Sequence, residues 1–296
     1  MFESFFGSRE GRKIASESLR FATNLSPRLQ SSGFRWSWLV NSEETESPIF
    51  VLSAGWRSGS TLLQRMLMKN SDTLIWGEPY DRSEIIQGIT NIWRPFTDDW
   101  PPENFLIHEH DAQLHESWIA NLYPDPSYLL KSQAAYLNTC FQIPANKLGY
   151  DRWGVKEVRL DSANALVLKR IFPHAKFIFL YRNPFDAYRS YKPWRRWFRS
   201  WPNNPVLTPV QFGKFWAHLT SDFLTNHTAV DGFLVSYESL GENMGALQEY
   251  LGIDLPHPSA LTRQRGRSGE TADLNIYEKA ALARTTYTTR KHAGYA

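Results

Sequence analysis

The stretch that most constrains this chain is Pro48 to Thr61, PIFVLSAGWRSGST. A short apolar run, Ile49 to Leu52, ends in a small glycine-bearing loop that leads directly into a helical pattern at Leu62 to Met68. Strand, tight loop and helix start in that order form a cradle for an oxyanion: backbone N–H groups point outward and the helix dipole favours negative charge. Gly55 and Gly59 allow close backbone approach. Ser58, Ser60 and Thr61 supply hydroxyls, and Arg57 supplies a planar cationic fork. The pattern differs from a nucleotide-triphosphatase loop, GxxxxGK[ST], because Ala54 stands at the first glycine and Ser60 at the lysine. The loop suits an anion without the lysine and magnesium register of a triphosphate site. Read alone, the plainer alternative is a tight strand-to-helix turn with Arg57 in solvent.

A second unit has the same form. Lys176 to Tyr181, KFIFLY, reads as a buried strand of a parallel sheet. Arg182-Asn183-Pro184 follows, with Pro184 suited to a first helical turn. Arg182 then sits at a strand's carboxyl end and Ser190 two turns along the helix. Ligands of open α/β sheets bind at the carboxyl ends of strands, so Arg182 and Ser190 are a candidate grip for a second anion. The plainer alternative is Arg182 paired with Asp186.

The two motifs, about 125 residues apart, together resemble the sulfotransferases that use 3′-phosphoadenosine 5′-phosphosulfate (PAPS). The resemblance implies that Arg57, Ser58, Gly59, Ser60 and Thr61 hold the 5′-phosphosulfate, and that Arg182 and Ser190 hold the 3′-phosphate. Arg57 in the loop is similar to the carbohydrate and tyrosylprotein branch. Gly77-Glu78-Pro79 matches the position of an acidic residue in that branch, implying Glu78 as general base. Val155 to Arg159, VKEVR, implies that Lys156 contacts the bridging oxygen or the phosphates. SYESL at Ser236 to Leu240 implies Tyr237 near the adenine. RQRGRSG at Arg263 to Gly269 resembles a late basic loop, placing Arg265, Gly266 and Arg267 over the 3′-phosphate. The products are a sulfated acceptor and adenosine 3′,5′-bisphosphate (PAP). A kinase with an altered phosphate loop and a nucleotide-binding module without chemistry are the alternatives.

Length, 296 residues, allows one large α/β domain. We expect a mainly parallel sheet flanked by helices over residues 48–296, preceded by a helical extension and linker over 1–47. Residues 81–150, rich in proline, are expected to be an irregular insertion on the acceptor side. The net charge of +3 fits an anionic cofactor and does not call for nucleic acid. A single cysteine, Cys140, precludes an intramolecular disulfide and favours a reducing compartment. The first residues lack the pattern of a signal peptide, and no run approaches the ~20 apolar residues of a membrane span, so a soluble, cytoplasmic chain is expected.

Two further clusters admit several readings. His108, His110, Asp111, His115 and Glu116 lack the H-E-x-x-H spacing of a zinc protease, so no metal is expected. Trp194, Trp197 and Trp201, interleaved with Lys192, Arg195, Arg196 and Arg199, fall on one helical stripe if Pro193 opens a helix. Core packing, an acceptor wall and a membrane contact are the three readings. The acceptor class stays open: glycan, lipid, peptide tyrosine or small natural product.

Overall fold

The computed structural model describes residues 46–69, 72–93, 95–96, 100–107, 115, 120–195, 206–261 and 272–295. Residues 1–45 of the expected extension and linker, the His108/His110 pair, Trp197 and Trp201, and the basic loop at 263–269 lie outside these residues. The chain folds around a five-stranded parallel sheet in the order β2-β5-β1-β6-β7. Its strands are β1 (Ile49–Ser53), β2 (Thr73–Gly77), β5 (Arg152–Glu157), β6 (Lys176–Tyr181) and β7 (Phe233–Ser236). A short parallel pair, β3 (Leu106–Ile107) and β4 (Tyr123–Pro124), lies apart from it.

Side-chain alternation along the strands builds two cores. Phe50 and Leu52 of β1 point to one face with Phe177 and Phe179 of β6 and Trp153 and Val155 of β5. Ile49 and Val51 point to the other with Ile178 and Leu180. This period of two follows from the pleat, and continuous apolarity follows from cover on both faces. The first core holds much of the aromatic content. Phe50 stacks on Phe177 at 5.4 Å and meets Trp153 edge-on at 5.9 Å. On the opposite face Gly154 leaves room for the neighbouring strands: a Cβ there would stand 2.3 Å from the Ile49 carbonyl oxygen and 2.5 Å from Ile75 Cδ1.

The helices are α1 (Ser60–Lys69), α2 (Ile85–Asn91), α3 (Pro126–Leu137), α4 (Ile143–Lys147), α5 (Ser162–Ile171), α6 (Pro184–Tyr191), α7 (Pro209–Asn226), α8 (Met244–Leu251) and α9 (Ile276–His292). α3 runs into α4 through one wide turn, Asn138–Gln142. Local signals set their limits. Asn183 accepts from the Phe185 N–H at 3.0 Å and Pro184 occupies the first turn of α6. Gly252 closes α8 at φ 69°. α7 and α9 pack together beside α6. Among the described residues, no helix is long and apolar enough to cross a membrane.

The tryptophan segment is described only through Arg195. α6 stops at Tyr191 and passes into a single 3₁₀ turn, Lys192–Trp194, that includes Pro193. Proline has no N–H to return to the Arg189 carbonyl, and that oxygen accepts from Ala272 N instead, at 3.1 Å. The described part of the tryptophan segment is therefore this turn. The insertion between β2 and β5 contains α2, α3 and α4 and contributes Ile86, Ile89, Trp93, Leu130 and Leu137 to the first core.

Candidate active site

The sheet order decides which side chains meet. Read across its carboxyl edge, the strands deliver Glu78 after β2, Lys156 near the end of β5, the loop Ala54–Gly59 after β1, Arg182 after β6 and Tyr237 after β7. The residues singled out in the sequence thus lie along one edge.

The loop is a run of alternating handedness: Gly55, Arg57 and Gly59 have φ of 82°, 68° and 95°. Successive N–H groups in such a turn converge on an anion. Arg57 is not glycine, so its left-handed backbone is strained, a condition concentrated at functional sites. Trp56 anchors the loop. Its buried indole stacks on Phe215 at 5.4 Å and lies 5.8 Å from Tyr191. The Ser58 hydroxyl is turned inward and donates to the Gly55 carbonyl at 2.7 Å, so it holds the loop's shape. The Gly59 carbonyl accepts from Leu62 N and Leu63 N at 2.9 and 3.2 Å, opening α1. Thr61 is exposed at the first turn, and Ser60 is buried.

Two guanidinium groups border this helix start. Arg57 Nε donates to Ser190 Oγ at 2.9 Å. Arg182 Nη1 donates to the Arg57 carbonyl at 3.2 Å. Ser190 thus faces Arg57, which stands between it and Arg182 in this chain of hydrogen bonds. Asp186 instead lies 3.9 Å from Arg189. The Arg182 guanidinium lies 4.4 Å from the centre of the Tyr237 ring, a cation–π contact. Tyr237 also covers the loop, since a Cβ on Gly59 would stand 2.1 Å from its Cδ2. Burial, then the charge of Arg182, holds Arg57 below the usual arginine range.

At the other end of the edge, Lys156 Nζ donates to Glu78 Oε1. The Lys156 side chain is 6% exposed and that of Glu78 23%. Glu78 has φ 43°, and its N–H is fixed to the Lys156 carbonyl at 2.8 Å. Burial pushes its carboxyl above the usual range, with Lys156 opposing. Beside the pair, Arg159 bridges Glu157 at 3.3 Å and Glu84 at 3.5 Å. The sequence reading gave no role to Trp56, Glu157 or Glu84. The exposed-looking position of Trp56 in a polar loop was its only signal.

Arg265, Gly266 and Arg267 lie outside the described residues. Among the described residues, no group of three or more His, Cys, Asp or Glu is arranged to hold a metal.

A sequence profile of the sulfotransferase family matches residues 48–256. The chain belongs to the sulfotransferase family. The match spans every strand of the main sheet and every site residue named above except the basic loop. It does not separate the carbohydrate and tyrosylprotein branch from others. No curated protein matches the sequence. Solved structures similar to this sulfotransferase include a sulfotransferase domain from the curacin biosynthetic pathway, 16% identical with a TM-score of 0.46, covering 86% of this chain and 99% of that one. A sulfotransferase from Alicyclobacillus acidocaldarius is 11% identical with a TM-score of 0.46, covering 84% and 94%. The sulfotransferase STF9 from Mycobacterium avium is 14% identical with a TM-score of 0.44, covering 97% and 85%.

Proposed function

We propose that this chain transfers a sulfuryl group from PAPS to a hydroxyl, or an amine, of an acceptor. The observation that carries the reading is the convergence of Arg57, Arg182 and Ser190 on one glycine-bearing helix start. The residues fit a doubly anionic nucleotide. Arg182 Nε is buried with no hydrogen-bond partner, a group an incoming anion satisfies. Burial and then the Arg182 charge lower the Arg57 pKa, a cost to its charged form that a bound anion offsets.

Bound PAPS supplies a sulfuryl group already activated on a phosphate leaving group. Arg57 and the N–H groups at Gly59 to Thr61 hold the 5′-phosphosulfate and neutralise charge developing there. Fixed donors of this kind are commonly the largest catalytic contribution. Arg182 and Ser190 hold the 3′-phosphate, Tyr237 borders the adenine, and Arg265, Gly266 and Arg267 close over the phosphate. Glu78 takes the proton from the acceptor as its oxygen bonds to sulfur. Lys156 keeps Glu78 ionised and aimed. The insertion at 81–150 forms the acceptor side, and residues 1–47 are an extension to the catalytic domain at 48–296. With its single cysteine the chain needs no oxidising compartment, so a cytoplasmic location is part of the proposal.

Calorimetric titration with PAP and with magnesium ATP, followed by turnover of ³⁵S-labelled PAPS across an acceptor panel, tests this. Binding of PAP and release of labelled product support it. Binding of magnesium ATP without PAP would point to a kinase instead.

A further inference from the structure

A cavity of about 850 Å³ opens between α2 and α3, bounded by the wide turn that follows α3. Its walls include Tyr80, Ile85, Ile89, Ile92, Leu129 and Tyr136. We infer that this cavity is the acceptor pocket of the proposed sulfuryl transfer, and that it takes an uncharged, largely apolar hydroxylated small molecule, such as an alkylphenol or a long-chain alcohol.

Position is the first argument. Tyr80 lies two residues after Glu78, a chain distance of at most about 7 Å. Glu78 and Tyr80 both have left-handed backbones (φ 43° and 55°), and Tyr80 lines the cavity. An acceptor seated there presents its hydroxyl toward Glu78. Its oxygen forms the new bond to sulfur, its proton passes to Glu78, and the bond from sulfur to the donor phosphate breaks.

The chemistry of the lining is the second argument. Two of its polar side chains bind within the protein. Gln133 donates to the Ile89 carbonyl at 3.0 Å and accepts from Trp93 Nε1 at 2.7 Å. Ser132 donates to the Leu129 carbonyl at 2.8 Å. The one charge among the described lining residues is the Glu84 carboxylate, held by Arg159 at 3.5 Å. An acidic glycan or an acidic peptide needs cations, and these walls offer apolar surface, the hydroxyls of Tyr80, Ser83 and Tyr136, and a carboxylate. The volume lies in the range of drug-sized ligand sites.

Gly88 provides a test that preserves the fold. It lines the cavity from within α2, and a Cβ there meets nothing within 4 Å. Gly88→Phe therefore fills the space from one wall, and replacing a helical glycine favours the helix. Ile92→Asp, at a half-exposed position on the rim, places an anion at the entrance without disturbing the core. The full-length protein is titrated by calorimetry with PAP, then with 4-octylphenol and with a sulfated disaccharide in the presence of PAP. The expected result is that octylphenol binds and the disaccharide does not. Both variants keep PAP affinity within twofold and lose octylphenol affinity at least tenfold. If PAP binds but octylphenol does not, or binds both variants like the parent protein, the pocket assignment is overturned while sulfuryl transfer stands. If the parent protein does not bind PAP, the sulfotransferase reading fails and this inference fails with it.

Discussion

Replacing Lys156 by methionine keeps the apolar stem and removes the cation that holds Glu78. The two partners are unequally buried, with 6% exposure for Lys156 and 23% for Glu78. Their separate removal should therefore cost different amounts. Glu78→Ala strands an ammonium in the interior, which costs about 3–5 kcal/mol. Lys156→Met leaves a carboxyl that reaches solvent and can take up a proton, so its cost is nearer the ~1–3 kcal/mol of an unpaired polar group. The double variant leaves neither charge stranded, so the single costs should exceed the combined one by about 1–3 kcal/mol. Urea unfolding of the four proteins at pH 7 measures this. The same substitution tests catalysis. Burial raises the Glu78 carboxyl and Lys156 pulls it down, so removing Lys156 moves it further upward. A raised carboxyl binds its proton more tightly in the folded chain. Its contribution to stability is thus present below the ordinary Glu range and lost as pH rises through the folded value. In Lys156→Met, that loss and the acid limb of kcat/KM should both move to higher pH than in the parent. Additive costs, or an acid limb that does not move, would refute the argument that Lys156 tunes a catalytic Glu78.

Arg182→Ala should weaken PAP by about 1.5–3 kcal/mol, the scale of a charged hydrogen bond, as read by calorimetry; unchanged affinity removes Arg182 from the site. Glu78→Gln should lower turnover by ~10²–10⁴-fold while PAP affinity stays near that of the parent, and near-normal turnover would move the base elsewhere. Gly59→Ala should abolish PAP binding, because its methyl group lands on the Tyr237 ring at 2.1 Å and its φ is 95°. Combining it with Tyr237→Ala should recover part of the binding, and failure to do so would assign the defect to the backbone alone. Turnover should survive a strong chelator; loss with EDTA restored by magnesium would favour phosphoryl chemistry.

The sequence makes the sheet's central strands visible because IFVLS and KFIFLY are apolar on both faces, a pattern that burial on two sides requires. Asn183-Pro184 and Gly252 likewise fix helix limits through local chemistry. Strand order is different. Nothing local tells that β5 inserts between β1 and β2, yet this order is what brings Lys156 to Glu78. The same reason hid the partner of Ser190. A spacing of eight residues along α6 places the serine near the anion site, but the fold across 133 residues selects Arg57 as its donor. Trp56 reads as one more polar-loop residue until Phe215 and Tyr191, from distant helices, are seen to receive it. The Arg159 bridge to Glu84 spans two segments whose pairing depends on the insertion's path and on no periodic pattern.

That path also bears on how such a chain diverges. The excursion over residues 78–151 leaves the sheet from β2 and returns in β5, and these two strands are neighbours at one border of the sheet. It forms a flap that begins and ends at that border, while its α2 and α3 pack on α5 and fill part of the first core. The strands on the other side, β1, β6 and β7, hold the cationic end of the edge, and the remaining crossovers lie outside that excursion: α1 joins β1 to β2, α5 joins β5 to β6, and α6 and α7 join β6 to β7. Lengthening, shortening or exchanging the flap therefore reroutes no other crossover. Variation in the flap's length or sequence is compatible with the same strand order, and Lys156 of β5 is where the frame meets Glu78 at the flap's start.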